Sequence, residues 1–319
     1  MTSAFRYRAF GLSIASELAL PAPLEPDPRG AGIDLAIRVG PLLTPPAPDD
    51  EVQRISTALQ LDARGTDHWV LFAFGHNLHE RFTASIRPGD VEVGWSAGIV
   101  PSDLAQHLVG VVLAAHAFVS GRVCLHGSAI RIGGRTLVIL GDSGRGKSTL
   151  TAALVAGGAQ LVTEEFITLG TDPRAIEIGV PAVKIGPAAA AVIGPVGIVR
   201  RAFEHADYAG EGVVVALDTA HLAPIGQTAI GEVHLLGARH VGTDALVSRP
   251  LATATAADAL ARAGYWMPFL PKAIQRRVMR AAFDIALDCP VRRLSLPENL
   301  GSLPQVASSL INRMSRSEG

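Results

Sequence analysis

The eight residues Gly141-Asp142-Ser143-Gly144-Arg145-Gly146-Lys147-Ser148 read G-x-x-x-x-G-K-S, and no other stretch constrains the fold as strongly. The apolar, β-branched run 136–140 leads into them, and the helix-forming stretch 148–155 leads out. Glycines at these positions let consecutive backbone N–H groups turn inward around an anion. The helix that starts there adds the positive end of its dipole. Lys147 can reach the β- and γ-phosphates of a nucleotide, and the Ser148 hydroxyl can ligate a divalent cation. With a strand before it and a helix after it, the loop predicts an α/β domain that binds a nucleoside triphosphate.

Bulk properties narrow the alternatives. At 319 residues the chain holds one large domain or two modest ones. A formal net charge of −1 and the lack of any long basic run give no reason to invoke nucleic acid or an anionic membrane as partner. Cys124 and Cys289 lack metal-ligand spacing and are too few for a disulfide framework, so a reducing cytoplasm is the expected compartment. Residues 1–8 carry no apolar core of a signal peptide. The longest apolar run, 108–119, is interrupted by His116 and is too short to span a bilayer.

Residues 5–98 read as a β-rich, antiparallel unit, with alternation clearest at 33–39 and 91–95 and proline-rich loops at 20–28 and 41–48. The character changes near Pro101, where Ser102 can cap a helix running to about Val119. Two strands, 123–132 and 135–140, follow around a Gly133-Gly134 turn. After the glycine loop come a helix to about Ala156, a Gly157-Gly158 stop and a strand at 160–169. Further strands are expected at 212–217, 231–236 and 290–296, and helices at 187–193, 254–264, 272–287 and 302–314. The expected organisation is a β-rich N-terminal domain over 1–98 and an α/β P-loop domain over 99–319.

What happens to the terminal phosphate depends on residues outside the loop. Glu164 and Glu165 lie at the end or bend of the strand after the P-loop helix. From there one acid can hold Mg²⁺ and the other can accept a proton from an incoming hydroxyl. His126, beside Gly127, starts a strand that feeds into the P-loop strand. Phosphoryl transfer gathers charge on the equatorial oxygens, so a cation beyond Lys147 is expected. Lys184 is the first candidate, as the only lysine between Lys147 and Lys272, with Arg200, Arg201, Arg239 and Arg249 as alternatives. His76 and His79 lack a metal-binding order, Ser128 and Ser143 lack an acyl-transfer elbow, and Arg276, Arg277 and Arg280 read as a basic helical face.

Taken together, Leu125-His126-Gly127, the P-loop, Gly158-Ala159-Gln160-Leu161-Val162 and the acidic pair resemble the HPr kinase/phosphorylase family. The chain is most similar to the shorter relatives associated with lasso peptides, which phosphorylate a precursor peptide on serine. The opening Phe5-Arg6-Tyr7-Arg8-Ala9-Phe10-Gly11-Leu12 also resembles the start of those kinases. The resemblance implies ATP and Mg²⁺ as cofactors and a ribosomally made precursor peptide as substrate, and it leaves the oligomeric state open, with a homo-oligomer as one option. It implies that Gly141, Asp142, Ser143, Gly144, Arg145, Gly146, Lys147, Ser148 and Thr149 hold the triphosphate. It further implies that Glu164 is the general base supported by His126, and that Glu165 joins Ser148 at the metal. Both family aspartates are glutamates here, one methylene longer. Thr149 replaces a glutamate usual in the HPr-directed enzymes, and their glycine-rich signature is not recognisable at 178–186. Their bifunctional role is therefore not expected. Kinases of HPr itself or of a small metabolite, and a nucleotide sensor without transfer, are the rival readings.

Overall fold

The computed structural model describes residues 5–20, 32–45, 52–56, 59–63, 67–74, 81–99, 104, 107–180, 182–193, 198–204, 211–217, 219–224, 226–241 and 245–316. Ser102, His76 and His79 lie outside these. The chain forms two compact units. The first takes residues 1–124 and 265–278, and the second takes 125–264 and 279–319. Where the sequence put a boundary at 98/99, the first unit thus runs on to Cys124 and reclaims a later segment. Among the described residues no helix is long and apolar enough to cross a membrane.

The first unit holds an eight-stranded sheet in the order β1-β2-β3-β8-β7-β6-β5-β4. Its strands are β1 (Phe5–Ala9), β2 (Leu12–Ser16), β3 (Leu35–Val39), β4 (Val52–Ser56), β5 (Leu59–Asp62), β6 (Trp69–Phe74), β7 (Arg81–Arg87) and β8 (Asp90–Trp95). The expectation of an antiparallel sheet needs correcting, because β3 pairs in parallel with both β2 and β8. Tight turns force antiparallel pairing, as at β1–β2 and β7–β8. The long connections on either side of β3 impose no such rule. Among the described residues the expected helix before the second unit is α-helical at Leu104 and His107, π-helical over Leu108–Val112, and α-helical again over α1 (Leu113–Val119). Every residue of α1 is buried, and Phe118 lies 6.2 Å from the ring of Trp69.

The second unit is built on the order β11-β9-β10-β17-β19-β18, with β12 on β9 and β13 on β17. The hairpin β9 (Cys124–Ile132) and β10 (Arg135–Leu140) turns through Gly133, at φ 59. β10 leads through the glycine loop into α2 (Lys147–Ala156) and then β11 (Gln160–Thr163). β12 (Phe166–Thr168) and β13 (Ala175–Glu177) come next. A small antiparallel sheet, β14-β16-β15, uses β14 (Ala182–Ile185), β15 (Ile198–Glu204) and β16 (Glu211–Ala216), with α3 (Pro187–Ile193) after β14. β17 (Gln227–Leu236) pairs in parallel with β10 and with β19 (Val291–Ser295), and β18 (Val247–Pro250) caps that edge. α4 (Thr253–Arg262), α5 (Lys272–Asp288) and α6 (Leu303–Arg316) complete the chain.

The core of this unit joins Ile139 of β10, Leu150 and Leu154 of α2, Leu161 of β11, Leu294 of β19 and Leu310 of α6. Each buried aliphatic side chain contributes about 1.5–3 kcal/mol, so α2 is held against the sheet mainly by its apolar face. That packing fixes where α2 starts, and with it the glycine loop. β10 is almost wholly buried between an antiparallel and a parallel neighbour, which accounts for its unbroken apolar run.

Two features of the fold place the acidic pair. The strand after the P-loop helix does not lie beside the P-loop strand, because β9 is inserted between β10 and β11. Nor is 160–169 one strand. It breaks at Glu164-Glu165, where Glu165 adopts φ 73 and the Phe166 N–H donates to the Glu164 carbonyl at 3.0 Å. This is a tight three-residue turn centred on a residue type that seldom takes positive φ. The Thr163 hydroxyl, donating to the Phe166 carbonyl at 2.9 Å, braces it.

Candidate active site

The glycine loop takes the backbone shape its residues allow. Gly141, Gly144 and Gly146 have φ 146, 76 and 95. Gly141 also passes so close to β17 that a methyl group on it would lie 3.0 Å from the Leu236 carbonyl oxygen. Gly146 is the N-cap of α2, so the free N–H groups of the first helical turn open onto the loop. Asp142, Ser143 and Gly144 are exposed at its crest. Arg145 reaches back to Asp142 at 3.8 Å across the surface, and Thr149 is half-buried.

Lys147 is buried and its ammonium donates to the carbonyls of Gly141 at 2.8 Å and Asp142 at 3.2 Å. An ammonium has three donors, so one remains to meet a phosphate. Burial lowers the Lys147 pKa, opposed by the nearby Glu164 and Asp142 carboxylates.

The turn at Glu164-Glu165 sends the two carboxylates to different partners. Glu164 is buried and accepts a hydrogen bond from the Ser148 hydroxyl at 2.5 Å. Burial first, and the Glu165 charge second, push its pKa up to about 7 against the Ser148 bond and the Lys184 and Lys147 charges. Glu165 is about 29% exposed and forms an ion pair with Lys184 of β14. Its backbone carbonyl accepts from the Gly127 N–H at 3.2 Å, which ties the turn to β9. The expectation that Glu165 would join Ser148 is therefore corrected, since the strand break hands Ser148 to Glu164. Lys184 is likewise not free to meet a phosphate, because it is paired with Glu165.

His126 is anchored by its own N–H, which donates to the Ala263 carbonyl at 2.7 Å. Burial, helped by the Lys147 charge and opposed by that of Glu165, lowers its pKa to about 4, so the ring is neutral at physiological pH. Gly127 can be nothing larger, since a methyl group there would sit 2.4 Å from the Ile139 carbonyl oxygen. The four site residues His126, Lys147, Glu164 and Glu165 are thus gathered at the loop end of β10.

Arg239, one of several arginines open as second cation, lies just after β17. A methyl group on Gly146 would fall 3.0 Å from its Nη2. Among the described residues its guanidinium takes part in no hydrogen bond or ion pair. Its singularity among five candidates is invisible in the sequence, because it depends on the parallel pairing of β17 with β10. Arg249 is exposed on the edge strand β18, and the side chains of Arg200 and Arg201 lie outside the described part of β15.

Among the described residues no three His, Cys, Asp or Glu side chains cluster as a metal site of their own. The hydroxyl of Ser148 and the carboxylate of Glu164 do present two hard oxygen donors side by side. That set fits Mg²⁺, which is held by one or two protein oxygens together with substrate phosphates and water.

Comparison with known protein families finds no match, and none is found among curated proteins. Among solved structures, the Hpr(Ser) kinase/phosphatase from Coxiella burnetii is similar at 16% identity and TM-score 0.32, over 61% of this chain and 99% of that one. A likeness that distant carries neither fold nor activity across.

Proposed function

We propose that this protein is an ATP- and Mg²⁺-dependent kinase that transfers the γ-phosphate to a serine hydroxyl of a peptide. The observation that carries this reading is the Ser148–Glu164 bond, which brings the acidic turn to the first turn of the P-loop helix although β9 separates the strands. The backbone amides of residues 141–148, Lys147 and Arg239 would hold the triphosphate. Ser148 and Glu164 would hold Mg²⁺, which would neutralise negative charge on the phosphates. Glu165, partly exposed where Glu164 is closed off, would take the serine proton, with Lys184 and neutral His126 fixing its carboxylate. The serine Oγ then bonds to the γ-phosphorus, the bond to the β,γ-bridging oxygen breaks, and ADP leaves. This exchanges the base and metal roles that the resemblance gives the two glutamates.

The choice of a lasso-type precursor peptide as acceptor rests on the resemblance of residues 5–12 and 125–165 to peptide serine kinases. Purified protein is offered γ-labelled ATP with a serine-ended precursor peptide or with the phosphocarrier HPr. Label should enter the peptide and be lost in Lys147→Ala and Glu165→Gln. Label confined to HPr would reject the acceptor, and equal background from all three proteins would reject the kinase.

A further inference from the structure

Helix α5 carries a row of large apolar side chains left in the open. Met279, Phe283 and Leu287 follow one another at four-residue steps, and each is half exposed or more. Side chains at i, i+4 and i+8 form one continuous ridge, so this is a stripe rather than scattered residues. Beside it, one position further along, runs a charged row of Arg280, Asp284 and Asp288. All six residues belong to the second unit. The charged row changes sign along its length. Among the described residues Arg280 and Asp284 form no ion pair, either with each other or elsewhere, and Asp288 meets Arg174 at 3.5 Å.

We infer that this ridge pairs with the same ridge of a second copy of the chain, antiparallel about a two-fold axis at Phe283. The charges select that occupant. In a parallel pairing about a two-fold axis, the charged rows of the two copies fall on opposite flanks of the ridge and do not meet. In the antiparallel pairing, Met279 of one copy falls against Leu287 of the other, and Arg280 of each copy lies between Asp284 and Asp288 of the other. A row whose sign inverts along its length complements itself only when reversed, which is the condition of an isologous interface. One helix per copy covers less than the roughly 800 Å² per partner of a standard interface, so the dimer is a reversible one. This inference is independent of the nucleotide chemistry.

Sedimentation velocity of the full chain, from roughly 1 µM to 1 mM, tests it. The wild type should shift from monomer to dimer, and added salt should weaken the association. Phe283→Glu should weaken it by at least about tenfold with circular dichroism unchanged. Arg280→Glu and Asp284→Arg should each weaken it alone, whereas an equimolar mixture of the two should regain association, because the swapped charges are complementary only between unlike copies. A wild type that stays monomeric throughout overturns the inference, as does a dimer indifferent to Phe283→Glu. A mixture that associates no better than its components overturns the antiparallel arrangement on which the inference rests.

Discussion

A buried carboxyl with no neutralising partner of full strength is the costliest residue in the proposed site, and this makes Glu164 a test at the residue scale. In the folded chain it gives up its proton near pH 7, and in the unfolded chain near 4.5. Between these values the folded state binds the extra proton. Stability is therefore fully present below 4.5 and falls as pH rises through 7. His126 runs the other way, with its contribution present above 6.5 and lost as pH falls toward about 4. In metal-free protein, Glu164→Gln should keep the Ser148 contact, remove the charge, and raise unfolding free energy at pH 8 by on the order of 2–3 kcal/mol. It should give no such gain at pH 4.5 while weakening Mg²⁺-dependent transfer. Denaturant melts at the two pH values check this, and an equal effect at both would contradict the burial argument.

Arg239 supplies the second residue-scale test. An unpaired guanidinium against a glycine of an anion cradle is placed to meet the terminal phosphate. Arg239→Ala should therefore lower peptide phosphorylation by about 100-fold. Steady-state kinetics read this, and a loss of less than about twofold would remove Arg239 from the machinery.

At the scale of elements, β9 decides the layout by standing between the P-loop strand and the strand that carries the acids. Gly127 makes this possible, with its missing side chain against the Ile139 carbonyl and its N–H on Glu165. Gly127→Ala should force β9 away from β10, cost about 1–3 kcal/mol, and displace Glu165, so that melting temperature and transfer fall together. Normal stability with full activity would show that the strands close without that contact. The β9–β10 hairpin, the loop and α2 were legible in the sequence, because local apolar runs and glycines dictate them. The insertion of β9 was not legible, since strand order is set by non-local pairing. The end or bend of the strand at Glu164-Glu165 was expected, but the positive φ of Glu165 was hidden, because a strained turn at a glutamate leaves no propensity signal. Hence the sequence singled out the acidic pair, but not its division between Ser148 and Lys184.

On the scale of the whole molecule, the β-rich front was legible as a unit, whereas its outer limit was not. The segment 265–278 that returns to it is distant in sequence. Deleting residues 1–98 strips the strands from buried Leu108, Leu113 and Phe118 of the same unit. That truncation should yield aggregated protein in size-exclusion chromatography, and a soluble monomer would contradict the division.

The central claim is that main-chain amides and Lys147 grip a triphosphate tail. Titration calorimetry of the full chain with Mg-ATP reads it directly. The account predicts saturable binding by the wild type, abolished by Lys147→Ala in a protein that still melts cooperatively. Equal heats from both proteins, or none from the wild type, would contradict it.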